Sequence, residues 1–514
     1  MTHAWWRDAV IYQVYPRSFA DGNGDGVGDI AGIRARLDHL SGLGINAIWV
    51  SPWYPSPMAD AGYDISDHRD VDPVFGTLAD AQALIAEAHA VGIRVIVDVV
   101  PNHVSSAHPW FVKALADPAA PERELFWFRQ GAEMPTGWRG EFGGATWTQV
   151  PDGAWYLHLF TPEQPDLNWA HPRVQAEFED ILRFWFDRGA DGIRIDSAAL
   201  LHKDPALPEI DPAQPHPFHD LDAVHDVYRS WRRVADEYGH RALIGEVWLP
   251  EPERFAAYLR PDELHAAFNF DFLGCAWAAD AMRACIDRAL AAHTGVGASA
   301  TWVISNHDVT RPVTRYGRAD TAFSFATKRE GTPTDLELGT RRARAAALLT
   351  LSLPGAAYVY QGEELGLPEV ENLPVEARQD PMWRRCGHGR DGCRVPLPWT
   401  GDRPPFGFGG EPWLPQPEGW KDLTVAAQTG DPHSMLELYR RTITARKVLR
   451  GPLRWLPTAP GTLAYARSDV AVVVNMSDAP VPLPEHDTRI LASGPLDDGV
   501  LPPDTAVWLR LRAG

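Results

Sequence analysis

The stretch Gly192-Ile193-Arg194-Ile195-Asp196-Ser197 decides the fold. It reads as a short, buried, β-branched strand. Side chains alternate across an extended chain, so Ile193 and Ile195 share one face while Arg194 and Asp196 share the other. Charge on a buried strand face is costly unless it is paired and hydrogen-bonded. Two readings fit the pair. One is a structural ion pair. The other is a carboxylate that the arginine keeps ionised, placed at a strand's C-terminal end where a covalent nucleophile would stand. The rest of the chain has to decide between them.

Working outward, further apolar, strand-like runs occupy residues 10–15, 47–52 and 95–100 before this stretch and 242–247, 267–272, 301–305 and 356–360 after it. Helical periodicity lies at 30–43, 78–91 and 172–187, and again at 435–448. Strands alternating with helices of this length predict βαβ units and a parallel sheet. Eight such strands predict an α/β fold, a (β/α)8 TIM barrel with its chemistry at the C-terminal strand ends. The rhythm lapses over 104–165, a stretch long enough to be a small inserted domain, and again over 311–338 and 367–430. Residues 451–514 turn Pro-rich and strand-like. The expected organisation is a catalytic barrel formed by 1–103 and 166–450, an inserted domain at 104–165 and a C-terminal all-β domain at 451–514.

The chain has 514 residues, 45% of them hydrophobic, and a net charge of −20. Such an acidic balance argues against nucleic acid and anionic membranes, and favours neutral or cationic ligands. Cys275, Cys285, Cys386 and Cys393 form neither a metal-type spacing nor a disulfide framework. With no leader-like opening and no apolar run long enough to span a bilayer, the expectation is a soluble cytoplasmic protein, monomeric or dimeric.

Between the first strand and the first helix lies Asp21-Gly22-Asn23-Gly24-Asp25-Gly26-Val27-Gly28-Asp29. Oxygen-bearing side chains at alternate positions, with glycines that let the backbone curl, suit a hard cation such as calcium. The terminal bidentate glutamate of an EF-hand is missing. An ion-free Asx-rich turn is the other reading of the same residues.

The strand ends carry the chemistry. Asp98 and His103 follow strand three, Arg194 and Asp196 end strand four, Glu246 ends strand five, and His307 and Asp308 follow strand seven. A barrel would bring them around one pocket. Two carboxyl groups suffice to cleave a glycoside, one attacking or activating water and one protonating the leaving oxygen. A third can orient hydroxyls and raise the acid's pKa. No step moves electrons, so no redox cofactor is expected. Taken singly, Asp98 reads as a loop-holding residue, and either histidine as a packing one.

Asp98-Val99-Val100-Pro101-Asn102-His103, Gly192-Ile193-Arg194-Ile195-Asp196, Gly245-Glu246-Val247 and Asn306-His307-Asp308 resemble, in order and spacing, the four sequence regions of the α-amylase family of glycoside hydrolases. Gln164-Pro165-Asp166-Leu167-Asn168-Trp169 is similar to a further motif of that family's oligo-1,6-glucosidase and α-glucosidase branch. The resemblance implies Asp196 as nucleophile, Glu246 as general acid/base and Asp308 as transition-state stabiliser. It implies that Tyr63 stacks on a glucose ring, that Asp64 binds terminal hydroxyls and pairs with Arg394, and that His103, Phe142, Phe160, Arg194 and His307 complete the binding site. It also implies a structural Ca2+ held by Asp21, Asn23, Asp25, the Val27 carbonyl and Asp29. The implied activity is a retaining, exo-acting α-glucosidase that releases glucose from maltose and short malto-oligosaccharides. An α-transglucosylase acting on a sugar or alcohol acceptor is the alternative. A catalytically dead sugar-binding homologue is disfavoured because all three acids are present. Ser197-Ala198-Ala199-Leu200 after the nucleophile resembles maltase-type members rather than the Val-bearing members that prefer α-1,6 bonds, which implies α-1,4 or broad specificity. Gly392-Cys393-Arg394-Val395-Pro396 departs from the branch's usual wording.

Overall fold

The computed structural model describes residues 4–324, 328–496 and 499–512. Met1 to His3 of the opening segment, and residues 325–327 of the insertion expected over 311–338, lie outside the described residues. Eight parallel strands form one sheet: β1 (Val10–Val14), β2 (Ala47–Val50), β3 (Arg94–Val99), β4 (Gly192–Ile195), β5 (Ala242–Gly245), β6 (Ala266–Ala267), β7 (Thr301–Trp302) and β8 (Ala356–Tyr360). Their order around the sheet is β7-β8-β1-β2-β3-β4-β5-β6. The barrel is nearly closed, because β6 and β7 are too short to share a ladder. The Thr301 hydroxyl, donating to the Ala267 carbonyl, bridges that seam.

The register places Asp98 beside Arg194 and Ile195 beside Gly245. Ile193 and Ile195 pack outward with Val97 and Leu243 against the helices, while Ile11, Trp49, Ile96, Ile244 and Phe268 fill the interior. Arg194 points into that interior, its guanidinium 4.9 Å from the Trp49 ring centre. The alternation of the deciding stretch is therefore a division between barrel lumen and helical shell.

The helices follow from their sequences. Leu78–Ala90 starts in a reciprocal capping box of Thr77 and Asp80, which satisfies two orphan donors at once. Pro172–Asp187 has proline in its first turn and buries Val174, Phe178, Ile181, Leu182 and Trp185, a single helical stripe. Residues 30–43 form two helices rather than one, Ile30–Ala35 and Leu37–Leu43, because Arg36 leaves helical geometry at φ −115°. The expected sixth strand, 267–272, is also shorter than its pattern. Only Ala266–Ala267 pairs, since the Asn269 side chain accepts from the Phe272 N–H at 3.0 Å and caps the helix Phe270–Gly274.

After β3 the chain builds a three-stranded antiparallel sheet from Phe128–Gln130, Trp147–Gln149 and Ala154–Leu157. Near the C-terminus, Arg454–Trp455, Thr462–Arg467, Val470–Asn475, Thr488–Ala492 and Thr505–Arg510 form a five-stranded sheet, antiparallel throughout. All four cysteines are free thiols. Among the described residues no helix is long and apolar enough to cross a membrane.

Candidate active site

β4 ends on Asp196, and the chain turns at once. Ser197 adopts φ +46°, a left-handed conformation that costs a non-glycine residue energy and is typically held by functional geometry. The turn serves two acids. The Ser197 hydroxyl donates to Asp196 Oδ2 at 2.9 Å, and its N–H donates to Glu246 Oε2 at 3.0 Å. Behind both acids lies the Arg194 guanidinium, which donates to Asp98 at 3.0 Å, Asp196 at 2.7 Å and Glu246 at 2.6 Å. Asp98 also accepts from Trp49 Nε1 and the Tyr63 hydroxyl. It is a buried anchor for the arginine, and its carboxylate holds side chains rather than the loop backbone that the sequence reading expected.

The acids differ in their protonation. Burial pushes Glu246 up to about 7, with Asp196 and Asp308 adding to the rise and Arg194 opposing it. Burial also raises Asp196 above the usual carboxylate range, so the pull of Arg194 moderates the shift without reversing it. Burial works against Asp308 too, yet His307, Arg390 and Arg394 outweigh it and hold this carboxyl well below its usual range. Because burial drives His307 itself down to about 3, the two guanidiniums carry that effect at neutral pH. One acid is poised to give a proton, and another stays ionised.

These groups open into a cavity of about 510 Å³. Tyr63, His103, Phe142, Phe160, His307, Asp196, Glu246 and Asp308 all line it. Tyr63 lies parallel to His307 with centres 5.2 Å apart, and Phe142 meets Phe160 edge-on at 5.2 Å. His103 bonds to Gln164 and to the Tyr63 carbonyl, and burial holds it neutral down to about 4. Arg194 and Arg394 are buried behind the wall rather than on it.

The pair expected between Asp64 and Arg394 is not formed. Asp64 is wholly buried and accepts from the Ser56 hydroxyl and the Ala59 and Asp60 N–H groups at 2.8, 3.0 and 3.0 Å, so it closes its own loop. Arg394 instead donates to the His307 carbonyl and to Asp308 Oδ1, each at 2.8 Å. The pair in the cavity is Asp60–Arg390, at 2.6 Å. Arg390 also reaches Asp380 at 2.9 Å and Asp308 at 3.2 Å, and sits 4.6 Å over the Phe142 ring. Asp-Ala-Gly-Tyr-Asp and Arg-Asp-Gly-Cys-Arg each offer two candidates, and nothing in the letters separates them. Sequence reading also missed Trp248, whose Nε1 donates to Glu246 Oε1 at 3.0 Å, and the cavity-lining Glu141, Met382 and Cys386.

In the acidic loop, Asp21 accepts from the N–H groups of Asn23, Gly24, Gly26 and Gly410, Asp25 from that of Val27, and Asp29 from those of Gly22 and Gly32. Among the described residues no three acidic, imidazole or thiol side chains converge as a metal-holding group, so any ion here would need the Asn23 and Val27 oxygens as well. The donor set fits a hard cation. All five donors are oxygens, and none of the three carboxylates pairs with a basic side chain among the described residues.

A barrel whose lumen end gathers a protonated and an ionised carboxyl group around one sugar-sized cavity has the makings of a glycoside hydrolase. Comparison with known proteins agrees. Residues 13–451 match the family model "Alpha amylase, catalytic domain", and the chain belongs to that family. Residues 458–508 match a domain of unknown function designated DUF3459. A "Probable alpha-glucosidase" of Rhizobium meliloti is 39% identical over 92% of this chain and 90% of its own length. An oligo-1,6-glucosidase of Parageobacillus thermoglucosidasius is 32% identical over 87% of this chain and 84% of its own. Among solved structures, the α-glucosyl transfer enzyme XgtA superposes with a TM-score of 0.85 at 35% identity, covering 99% of this chain and 100% of that one. The isomaltulose synthase of Klebsiella sp. LX3 superposes with a TM-score of 0.87 at 29% identity, covering 100% of both chains. The protein is thus an enzyme of the α-amylase family with α-glucosidase and oligo-1,6-glucosidase relatives.

Proposed function

We propose that the chain is a retaining, exo-acting α-glucosidase that releases glucose from the non-reducing end of maltose and short malto-oligosaccharides. The observation that carries this reading is the Asp60–Arg390 pair at the cavity floor, 2.6 Å apart beside Phe142 and Asp308. A charged pair there can bind the outer hydroxyls of a terminal glucose and leaves a longer chain nowhere to continue. In this scheme Glu246, protonated near neutrality, gives its proton to the glycosidic oxygen. Asp196 attacks the anomeric carbon, the C–O bond to the leaving group breaks, and a β-glucosyl ester forms. Asp308, ionised under Arg390 and Arg394, stabilises the positive charge that develops on the ring. Glu246 then takes a proton from water, whose oxygen displaces Asp196 and restores the α configuration. Retention needs the two carboxyl groups about 5–5.5 Å apart, and their shared hold on one guanidinium favours such closeness. Ser197, Ala199 and Leu200 line the cavity beside the acids, which suits the α-1,4 preference.

Following hydrolysis of a nitrophenyl α-glucoside, whose leaving group is not a sugar, by NMR tests this reading. α-Glucose should appear first, maltose should be cleaved faster than isomaltose, and Asp196→Ala should abolish turnover while keeping the fold. First-formed β-glucose, or near-native activity in that variant, would overturn it. Glucosyl transfer to a second sugar is the competing outcome, favoured by the structural likeness to glucosyl-transferring enzymes. New disaccharides at high maltose concentration would reveal it. We further propose that Asp21, Asn23, Asp25, Val27 and Asp29 hold a structural Ca2+. The purified protein should then contain about one calcium per chain, and EDTA should lower its Tm reversibly. No bound calcium and no change in Tm would refute this site.

A further inference from the structure

We infer that Glu141 makes the outer, leaving-group side of the cavity a cation-recognising wall, so that the enzyme prefers α-glucosides whose aglycone carries an ammonium group. This deepens the α-glucosidase reading and rests on it. Glu141 lines the same cavity as Glu246. Its neighbour Phe142 is buried at the floor beside Arg390, whereas Glu141 is exposed at the mouth. Its backbone is fixed there by its N–H, which donates to the Leu159 carbonyl at 2.8 Å. Asp196 is buried and Glu246 and Asp308 are half-buried in the same cavity, so the exposed Glu141 lies outward of the three acids. That is where the leaving group must sit.

Three other carboxyl groups in this neighbourhood each have a cation. Asp166 lies 2.7 Å from Lys203, Glu246 lies 2.6 Å from Arg194, and Asp60 lies 2.6 Å from Arg390. The Glu141 carboxyl has no hydrogen-bond or ion-pair partner among the described residues. The guanidinium of Arg385, on the same rim, donates through one nitrogen to the carbonyls of Gly143 and Phe160 and forms no ion pair with Glu141. His219, also lining the cavity, has its pKa lowered by burial and adds no positive charge. Asp166 and Glu246 act on Glu141 with the same sign of charge, a repulsion that a bound ammonium would relieve and a bound anion would worsen. The wall thus rewards a cation and rejects phosphate or carboxylate on the aglycone.

Three α-D-glucopyranosides of similar size test this at pH 8, where Glu141 is ionised: 2-aminoethyl, 2-hydroxyethyl and carboxymethyl. For the native enzyme, kcat/KM should be highest for the amine, about fivefold above the hydroxyl compound, as befits a partly exposed ion pair, and lowest for the acid. The amine-to-hydroxyl ratio should fall towards one in Glu141→Gln and below one in Glu141→Lys. It should also shrink for the native enzyme in 0.5 M NaCl, a reading that needs no variant. A native ratio near one, or a salt-independent ratio that Glu141→Gln leaves intact, would overturn the inference while leaving the α-glucosidase reading standing. If none of the three glucosides, nor maltose, releases glucose, that reading fails and this one falls with it.

Discussion

Asp60 and Asp64 stand four residues apart, yet their partners give them separate jobs. Asp60 shares Arg390 with Asp308 and Asp380, so its removal leaves the arginine buried but still paired. Asp60→Ala should therefore fold, and should lose about 100-fold or more in kcat/KM through the missing charge-assisted contact to substrate. Asp64 instead satisfies a hydroxyl and two backbone N–H groups. Asp64→Ala strands those donors, at about 1–3 kcal/mol each for any that stay buried, and should be read first as a fall in Tm. Kinetics alongside thermal melts of both variants check the division, and the reverse pattern would restore the Asp64 assignment. The pH profile belongs to single residues too. Glu246 must carry a proton to act as acid, so kcat/KM should fall as pH rises through about 7, tenfold per unit beyond it. In the proposed mechanism Asp196 attacks in its ionised form, and its raised pKa should place the acid limb above the usual aspartate range. A plateau running to pH 9 would contradict the assignment of Glu246. At this scale the sequence was legible where a residue's position follows from its strand end, as with Asp196, Glu246 and Asp308, which meet in one cavity. It was illegible where two like residues share one loop, because the choice between them is made by backbone N–H groups that the letters do not show.

The turn after β4 works as one element. Ser197 holds a left-handed backbone so that its hydroxyl and its N–H reach two different acids. Ser197→Ala keeps the N–H contact but removes the hydroxyl that favours the charged form of Asp196. The Asp196 pKa should rise, moving the acid limb of kcat/KM to higher pH while the limb near 7 stays in place. Ser197→Gly should show the same acid-limb shift with a higher Tm than the alanine variant, since glycine enters this conformation without steric cost. An unmoved acid limb in both variants would remove the hydroxyl from the mechanism. Elements read from pattern survived best where packing and capping agreed, as in Pro172–Asp187 and β8, whose ends match the periodicity. Residues 267–272 misled because Phe268, Phe270 and Phe272 alternate as a strand would. The Asn269 cap redirects the chain into a helix, a local hydrogen bond that outcompetes the ladder.

Across the whole molecule, the C-terminal sheet behaves as part of the barrel's shell. The helix Leu336–Ser352 buries most of its second half, where the strand Thr505–Arg510 packs. Trp508, fully buried, donates Nε1 to the Leu348 carbonyl at 3.3 Å. Asp504 accepts from Trp277 Nε1 at 2.7 Å and from Arg342 at 2.8 Å, and Arg344 reaches the Ser493 carbonyl at 2.6 Å. Trp508, Val472 and Tyr465 belong to the same continuous apolar cluster as the barrel's outer face. A change of composition marked residues 451–514 in the sequence, but this shared core could not be read there, since an apolar β face does not announce what covers it. The physical consequence is coupling. If the sheet were an independent appendage, Trp508→Ala would melt it alone and leave a separate barrel transition near the native temperature. With a common core, the cavity should destabilise the folded chain by about 3–5 kcal/mol. Calorimetry should then show one transition displaced downward as a whole, with glycoside-hydrolase activity lost along the same melting curve. Two resolved transitions, with activity following only the upper one, would show that the barrel stands without its C-terminal sheet.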